Sequence, residues 1–191
     1  IDKTDSDTVM VNCWNMISMI YSNEGRFSLA EQAGYEALDI ANRSDFKRGI
    51  GDAYYQLGIA FSKQAKYDVA MEWYLKAITQ YEKIGNKSGL GFTYLLIGVI
   101  DYYMHNNNKA EENYKKAVKY FEEANDRAGK ANVMVNLAYL YMEAKQCEKA
   151  INEAEKAYTL FKQGNSYHGM AVCRTCVAGC YTDLFNQNDA T

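Results

Sequence analysis

No proline occurs anywhere in the 191 residues. At average usage a chain of this length carries roughly nine. Proline costs about 3 kcal/mol in a helix interior, so its complete absence, beside plentiful Ala, Leu, Lys, Glu and Met, predicts an all-α protein. Long apolar runs are missing too. The longest, Leu95 to Ile100 with Gly98 inside it, is far too short to span a bilayer. No charge excess exists: Lys and Arg total 21 against 24 Asp and Glu, a net charge of -3. That balance argues against a nucleic-acid binder that works by neutralising phosphates. The five cysteines are an odd number and make no disulfide framework; free thiols favour a reducing cytoplasm. No basic-then-apolar leader opens the chain and residue 1 is Ile, as expected of a processed or excised piece. With hydrophobic residues at 48% and charged residues at 24%, the composition is that of a chain able to build a core.

What the sequence has is a repeat. A shift of 40 residues superimposes it on itself, aligning Gly49, Gly89, Gly129 and Gly169, and also Ala37, Ala77, Ala117 and Ala157. Ala30, Ala70, Ala110, Ala150 and Ala190 form a third row. A large residue recurs at Trp14, Tyr54, Tyr94 and Met134, followed three positions on by Ile17, Leu57, Ile97, Leu137 and Val177. The next residue is always small: Ser18, Gly58, Gly98, Ala138 and Ala178. Aromatic residues follow at Tyr21, Phe61, Tyr141 and Tyr181, with Asp101 as the exception.

Within one unit Tyr54, Leu57 and Phe61 fall at i, i+3, i+7, which is one face of a helix, and Ala70, Tyr74 and Ala77 repeat the spacing on a second helix. Small residues at Gly58, Ala70 and Ala77 permit close backbone approach and an antiparallel hairpin. One hairpin cannot bury its own apolar face, whereas a stack of four makes a continuous core. Helices are expected over 9–23, 27–43, 47–63, 67–84, 87–103, 107–124, 127–143, 147–163 and 168–185. The repeats run over about 10–49, 50–89, 90–129 and 130–169, with a partial fifth at 170–185. One array over 9–185 is expected, with flexible ends at 1–8 and 186–191. At the junctions Gly85, Asn125 and Asn165 suit a left-handed helix end, and Asn86, Asp126 and Ser166 suit the cap of the following helix.

Little in the chain suggests catalysis. His105 and His168 both fall in predicted turns and read as solvated residues. No His-Glu-x-x-His, Gly-x-Ser-x-Gly or phosphate-loop signature occurs. Gly49-Ile-Gly51 and Gly89-Leu-Gly91 lack a third glycine and sit at repeat junctions that account for them. Asn42-Arg-Ser44 and Asn86-Lys-Ser88 match a glycosylation pattern but read as turn chemistry. Cys173, Cys176 and Cys180 are spaced i, i+3, i+7, so three thiolates on one helix face are an alternative metal or redox site. The favoured reading is packing: Cys173 shares its slot with Cys13, Ala53, Thr93 and Val133, and Cys180 shares one with Ile20, Ala60, Ile100 and Leu140. No cofactor is expected.

The series Tyr54–Leu57-Gly58–Phe61–Ala70–Tyr74–Ala77 and Tyr94–Ile97-Gly98–Ala110–Tyr114–Ala117 resembles the tetratricopeptide repeat over residues 10–185. The usual unit has 34 residues; here it has 40, with an Asn/Asp-x-x-Gly turn in place of a late proline. Gly34, where an aromatic is usual, marks an atypical first unit. The variant is similar to repeats of Pins-type polarity scaffolds, kinesin light chains, Rap-type peptide-regulated proteins and bacterial sensor or regulator arrays; Tyr81 to Gly89 looks most like the bacterial signalling versions. The resemblance implies an α-solenoid, a right-handed superhelix of four hairpins plus a single C-terminal helix. It also implies a concave groove lined by the first helix of each hairpin, in which partners lie.

Helical geometry picks out the inner face at steps of three or four. Asn15, Met19, Tyr55, Ile59, Phe92, Leu95, Tyr102, Tyr103, Asn132, Asn136, Tyr139 and Met142 are the candidate groove residues, with Asn12, Asp52 and Lys63 beside them. A single Lys and no Arg at these places argues against a clamp for a terminal carboxylate. The aromatic middle suits an extended peptide or amphipathic helix with apolar anchors, and Asn132 and Asn136 suit its backbone. The competing reading is that many of the 17 tyrosines pack between hairpins. The expected function is therefore a non-enzymatic protein- or peptide-binding module, the scaffold or sensing part of a larger signalling protein. Its partner is a protein or peptide, with neither nucleic acid nor membrane. The alternative is a Rap-like peptide-regulated protein whose effector domain lies outside this chain. A weaker third reading is an enzyme centred on Cys173 and Cys176.

Overall fold

The computed structural model describes residues 3–188, and all regular structure among them is helical. In chain order come α1 (Lys3–Asn23), α2 (Phe27–Arg43), α3 (Lys47–Ser62), α4 (Tyr67–Ile84), α5 (Lys87–Tyr103), α6 (Asn107–Glu123), α7 (Arg127–Glu143), α8 (Cys147–Gln163) and α9 (Tyr167–Asn188). Expected and observed boundaries agree to a residue or two except at the ends. There α1 begins at Lys3 and α9 continues to Asn188, so 3–8 and 186–188, expected outside the helices, are helical. Asp5 in the first turn of α1 offsets the positive helix terminus and favours that early start. Residues 1, 2 and 189–191 of the expected ends lie outside the described residues. The chain divides into two compact units, Ile1–Thr93 and Tyr94–Thr191.

One turn design recurs at every described helix junction. Residues 25, 45, 65, 85, 105, 125, 145 and 165 all take a left-handed conformation, with φ between 54° and 73°. The amide after each one bonds the carbonyl five residues back, as in Arg26 to Tyr21, Lys66 to Phe61, Asn86 to Tyr81 and Gln146 to Tyr141, at 2.8–3.1 Å. This closure satisfies carbonyls that the helix end leaves open. The left-handed positions expected at Gly85, Asn125 and Asn165 are present; the turns inside hairpins, at Ala65, His105 and Lys145, use the same geometry without a glycine or asparagine to announce it. The predicted caps form as well. Asn86 Oδ1, Asp126 Oδ1 and Ser166 Oγ accept from the amides of Gly89, Gly129 and Gly169 at 3.0, 2.8 and 3.3 Å. Asn86 is thus occupied in turn chemistry, and Ser44 Oγ donates to the Ile40 carbonyl at 2.8 Å.

In the first unit α1 pairs with α2 and α3 with α4, while α3 also packs on α1 and α2. Ala30, Ala37, Ala70 and Ala77 are fully buried where helices cross. The paired slots compensate in volume. Gly58 faces the ring of Tyr74, and a Cβ on Gly58 would stand 2.3 Å from it. In the first hairpin that tyrosine slot is Gly34 and the glycine slot is Ser18, whose hydroxyl donates to the Ala30 carbonyl at 2.8 Å. Leu57 from α3 fills the space left at Gly34.

The second unit follows the same rules. Gly98 lies against the Tyr114 ring, and Ala154 with Ala138 is its small-with-small counterpart. Two apolar clusters form, one around Tyr114, Phe121, Leu137 and Cys180, the other around Met134, Phe161, Cys173 and Cys176. Close-packed interiors tolerate such trades only when total volume is kept.

Candidate functional site

Helices α1 and α3, with the start of α5, wall a groove of about 660 Å³ in the first unit. Four predicted residues meet there: Asn15 and Met19 from α1, Tyr55 from α3 and Phe92 from α5. Asn12 and Asp52 join them. Ile59 is partly buried on α3 and is not among the lining residues. Met16, Phe46, Arg48, Gln56, Tyr81 and Asn86 also line it, none of them among the expected groove residues. Tyr81 comes from a second helix, the kind assumed to stay behind the groove. Arg48 sits in the first turn of α3, below the inner-face positions considered.

The electrostatics of this groove centre on Asp52. Tyr81 donates its hydroxyl to Asp52 Oδ1 at 2.8 Å, and Arg48 Nε stands 3.6 Å from Oδ2. Burial raises the Asp52 carboxyl above its ordinary range, while the Tyr81 hydrogen bond and Arg48 oppose the shift. Burial, with Asp52 nearby, pushes Tyr55 up to about 12. Among the described residues the charged ones lining the groove are one acid and one base, paired with each other. Lys63, the single lysine expected at the groove, donates instead to Asn23 Oδ1 at 3.0 Å. Apolar surface is exposed beside the pair: Met16 at 58%, Met19 at 41% and Phe92 at 38%.

In the second unit the predicted residues divide. Tyr103 is 61% exposed. Leu95, Tyr102 and Met142 pack against the Tyr114 cluster, and Tyr139, with Met142 again, against the Cys173 cluster. Tyr102 donates its hydroxyl to Glu143, which pushes its own ionisation up to about 12, helped by desolvation. Asn132 is exposed, and Asn136 Nδ2 donates to the Asn132 carbonyl at 3.1 Å, a bond within one helix. Asp101, the exception in the aromatic row, is buried and accepts from Asn113 Nδ2 at 2.7 Å.

The cysteines take packing positions. Cys147, Cys173, Cys176 and Cys180 are buried and Cys13 is exposed. Burial, then Cys147, pushes the Cys180 thiol up to about 12, and burial also raises Cys173 and Cys176. Such thiols stay protonated and poor as ligands or nucleophiles. Among the described residues no group of three or more His, Cys, Asp or Glu is placed to hold a metal ion. His105 sits at a left-handed turn position as expected, whereas His168 lies within helix α9 and not in a turn. No described helix is long and apolar enough to cross a membrane.

Hairpins of this kind, stacked by small-for-large packing, define an α-solenoid. The tetratricopeptide-repeat family model matches residues 10–83 and 90–163, more than half of the chain, and the chain belongs to that family. No curated protein matches it by sequence. Solved structures are similar in fold. A signal-transduction ATPase with a tetratricopeptide-repeat sensor from Pyrococcus horikoshii aligns with a TM-score of 0.77 at 19% identity, covering 95% of this chain and 28% of that one. A Rap protein complexed with competence and sporulation factor aligns at 0.77 and 13%, covering 93% and 54%. A putative kinesin light chain from Podosopora anserina aligns at 0.71 and 12%, covering 94% and 89%.

Proposed function

We propose that this chain is a protein- or peptide-binding module without catalysis of its own. Its ligand lies along the first helices of the hairpins, and it serves as the scaffold or sensing part of a larger signalling protein. The observation that carries the reading is the wall of the first-unit groove. Met16, Met19 and Phe92 stay exposed there around a self-neutralised charge pair, where a repeat needing only to pack would bury or replace them. Exposed apolar groups in a concave, polar-rimmed site are the usual form of a docking surface. In the second unit Tyr103 is the matching exposed anchor. The repeat frame accounts for the cysteines and paired glycines as packing elements, which leaves binding as the work of the remaining surface. Five unpaired thiols favour a reducing, cytoplasmic setting.

A second reading is that peptide binding regulates an effector outside these residues. It draws support from the likeness to the Rap protein complexed with a signalling factor, of which this chain spans 54%, and to the ATPase with a repeat sensor, of which it spans 28%.

Selection from a displayed random-peptide library on the intact chain tests the module. Selected peptides should carry apolar or aromatic anchors. The double change Met19→Ala, Phe92→Ala should weaken them by about 2 kcal/mol or more while the helical circular-dichroism signal is retained. Peptides that bind the double variant as well as the parent would sink the groove.

A further inference from the structure

The outer surface of the second helices changes character along the chain. On α2 and α4, Tyr35 and Leu75 are 45% and 56% exposed, and Val69 is exposed beside them. Trp73 is half-buried there, with the Tyr35 ring edge-on to it at 5.9 Å and Lys76 Nζ 3.9 Å from its centroid. In the forty-residue frame the slot of Tyr35 and Leu75 carries Lys115 and Glu155 in the later repeats. That of Trp73 carries Asn113 and Glu153, and that of Val69 carries Lys109 and Lys149. The fold accepts a polar or charged residue at each of these positions, so packing does not require the apolar set. Apolar side chains grouped in water on two neighbouring helices mark a contact surface.

The charges around it select the occupant. Tyr35 sits in a shallow cleft lined by Glu31, Glu36 and Asp39. Leu75, its equivalent one repeat on, sits in a cleft whose charged lining, among the described residues, is Lys76 and Lys83. Arg43 offsets Asp39 at 3.0 Å, and Glu31 and Glu36 keep the first cleft acidic. We propose that this face holds a second copy of the chain across a two-fold axis, the Tyr35 cleft of each copy resting on the Leu75 cleft of the other. Such an isologous contact sets apolar on apolar and acid on base, twice over. The helices have 17 and 18 residues. A two-helix face of about 25 by 20 Å buries roughly 1,000 Å² over both copies, the lower end for a specific dimer, so a dissociation constant in the micromolar range is expected. The contact does not rest on the groove, whose wall contains none of these residues.

Sedimentation velocity of the intact chain, over roughly 1 to 500 µM, reads the association. The parent should pass from monomer to dimer, and about tenfold more salt should weaken the dimer by screening its charges. Tyr35→Lys with Leu75→Lys installs the residue that Lys115 already supplies in that slot, so the fold is kept, and like charges then face each other across the axis. This variant should bind itself at least about tenfold more weakly. Glu36 and Lys76 also share a slot, so Glu36→Lys and Lys76→Glu exchange residues that the fold carries there. Each alone should weaken self-association about fivefold, whereas an equimolar mixture of the two should associate as the parent does, because acid again meets base in the mixed dimer. Met19→Ala with Phe92→Ala should dimerise like the parent; loss of the dimer there would place the contact at the groove instead. A chain monomeric throughout the range, which would leave the face to a different protein, would overturn the proposal. So would a dimer indifferent to the lysine variant, or a mixture no stronger than its components.

Discussion

The hydroxyl of Tyr81 donates to the carboxylate of Asp52 at 2.8 Å, while the Tyr81 ring fills the space over Gly51 and Gly89. The same slot holds Phe121 and Phe161 in the later repeats, and those rings cover Gly129 and Gly169. The ring is thus the structural element of the slot, and the hydroxyl is an addition tied to the acid in the groove. Tyr81→Phe should keep the packing and cost about 1.5–3 kcal/mol at neutral pH, as expected for a hydrogen bond to a charged group. Denaturant unfolding reads this directly, and a loss below about 0.5 kcal/mol would mean that the bond is not maintained in solution.

Asp52 itself links stability to pH. Its carboxyl is raised in the folded chain chiefly by burial, so between the ordinary carboxylate value and the raised one the folded state holds a proton that the unfolded state releases. Stability from this group is complete below the ordinary carboxylate value and falls as pH rises through the folded value. Asp52→Asn, which keeps an acceptor for Tyr81, should therefore match the parent at a pH of about 3 and melt higher than it at neutral pH. Melting curves across that range check the sign; a variant less stable at neutral pH would show that the Arg48 and Tyr81 contacts outweigh burial.

The eight left-handed turns make a separate prediction. Ala65 and Lys145 hold φ of 58° with a side chain attached, a conformation that costs L-residues about 1 kcal/mol and glycine almost nothing. Ala65→Gly and Lys145→Gly should each stabilise by up to about 1 kcal/mol, despite the general cost of glycine to the unfolded chain. Gly25→Ala should destabilise by a similar amount although nothing lies within 4 Å of the added Cβ. Calorimetry should register each change as roughly 2–4 °C per kcal/mol.

Gly58 tests the packing rule. Alanine is the better helix former by about 1 kcal/mol, yet its Cβ would meet the buried Tyr74 ring at 2.3 Å. Gly58→Ala should therefore destabilise by about 1–3 kcal/mol. Gly58→Ala combined with Tyr74→Ala, the small-with-small pairing already present at Ala138 and Ala154, should cost less than the two single changes added together. Strict additivity in thermal or chemical unfolding would show that the two positions do not share volume.

Much of this molecule was legible in its sequence because a repeat states each packing position several times. The rows at Gly49, Gly89, Gly129 and Gly169 and at Ala37, Ala77, Ala117 and Ala157 set the helix boundaries and the buried faces, since a 40-residue period leaves only one way for the apolar stripes to meet. Gly85, Asn125 and Asn165 announced their turns, whereas Ala65, His105 and Lys145 did not, because the six-residue backbone closure rather than the side chain enforces φ there.

The site was only half visible. Asn15, Met19, Tyr55 and Phe92 follow from the inner-face geometry of first helices, but Tyr81 reaches the groove from a second helix, and Gln56 lines it although its slot was not among the inner-face positions. Sequence alone determined the period, the all-helical class and which slots are small or large, all of which depend on local spacing. Tertiary structure alone decided which polar groups end up buried and that Tyr81 of α4 reaches Asp52 of α3, because burial and such pairings are properties of side chains brought together from different helices.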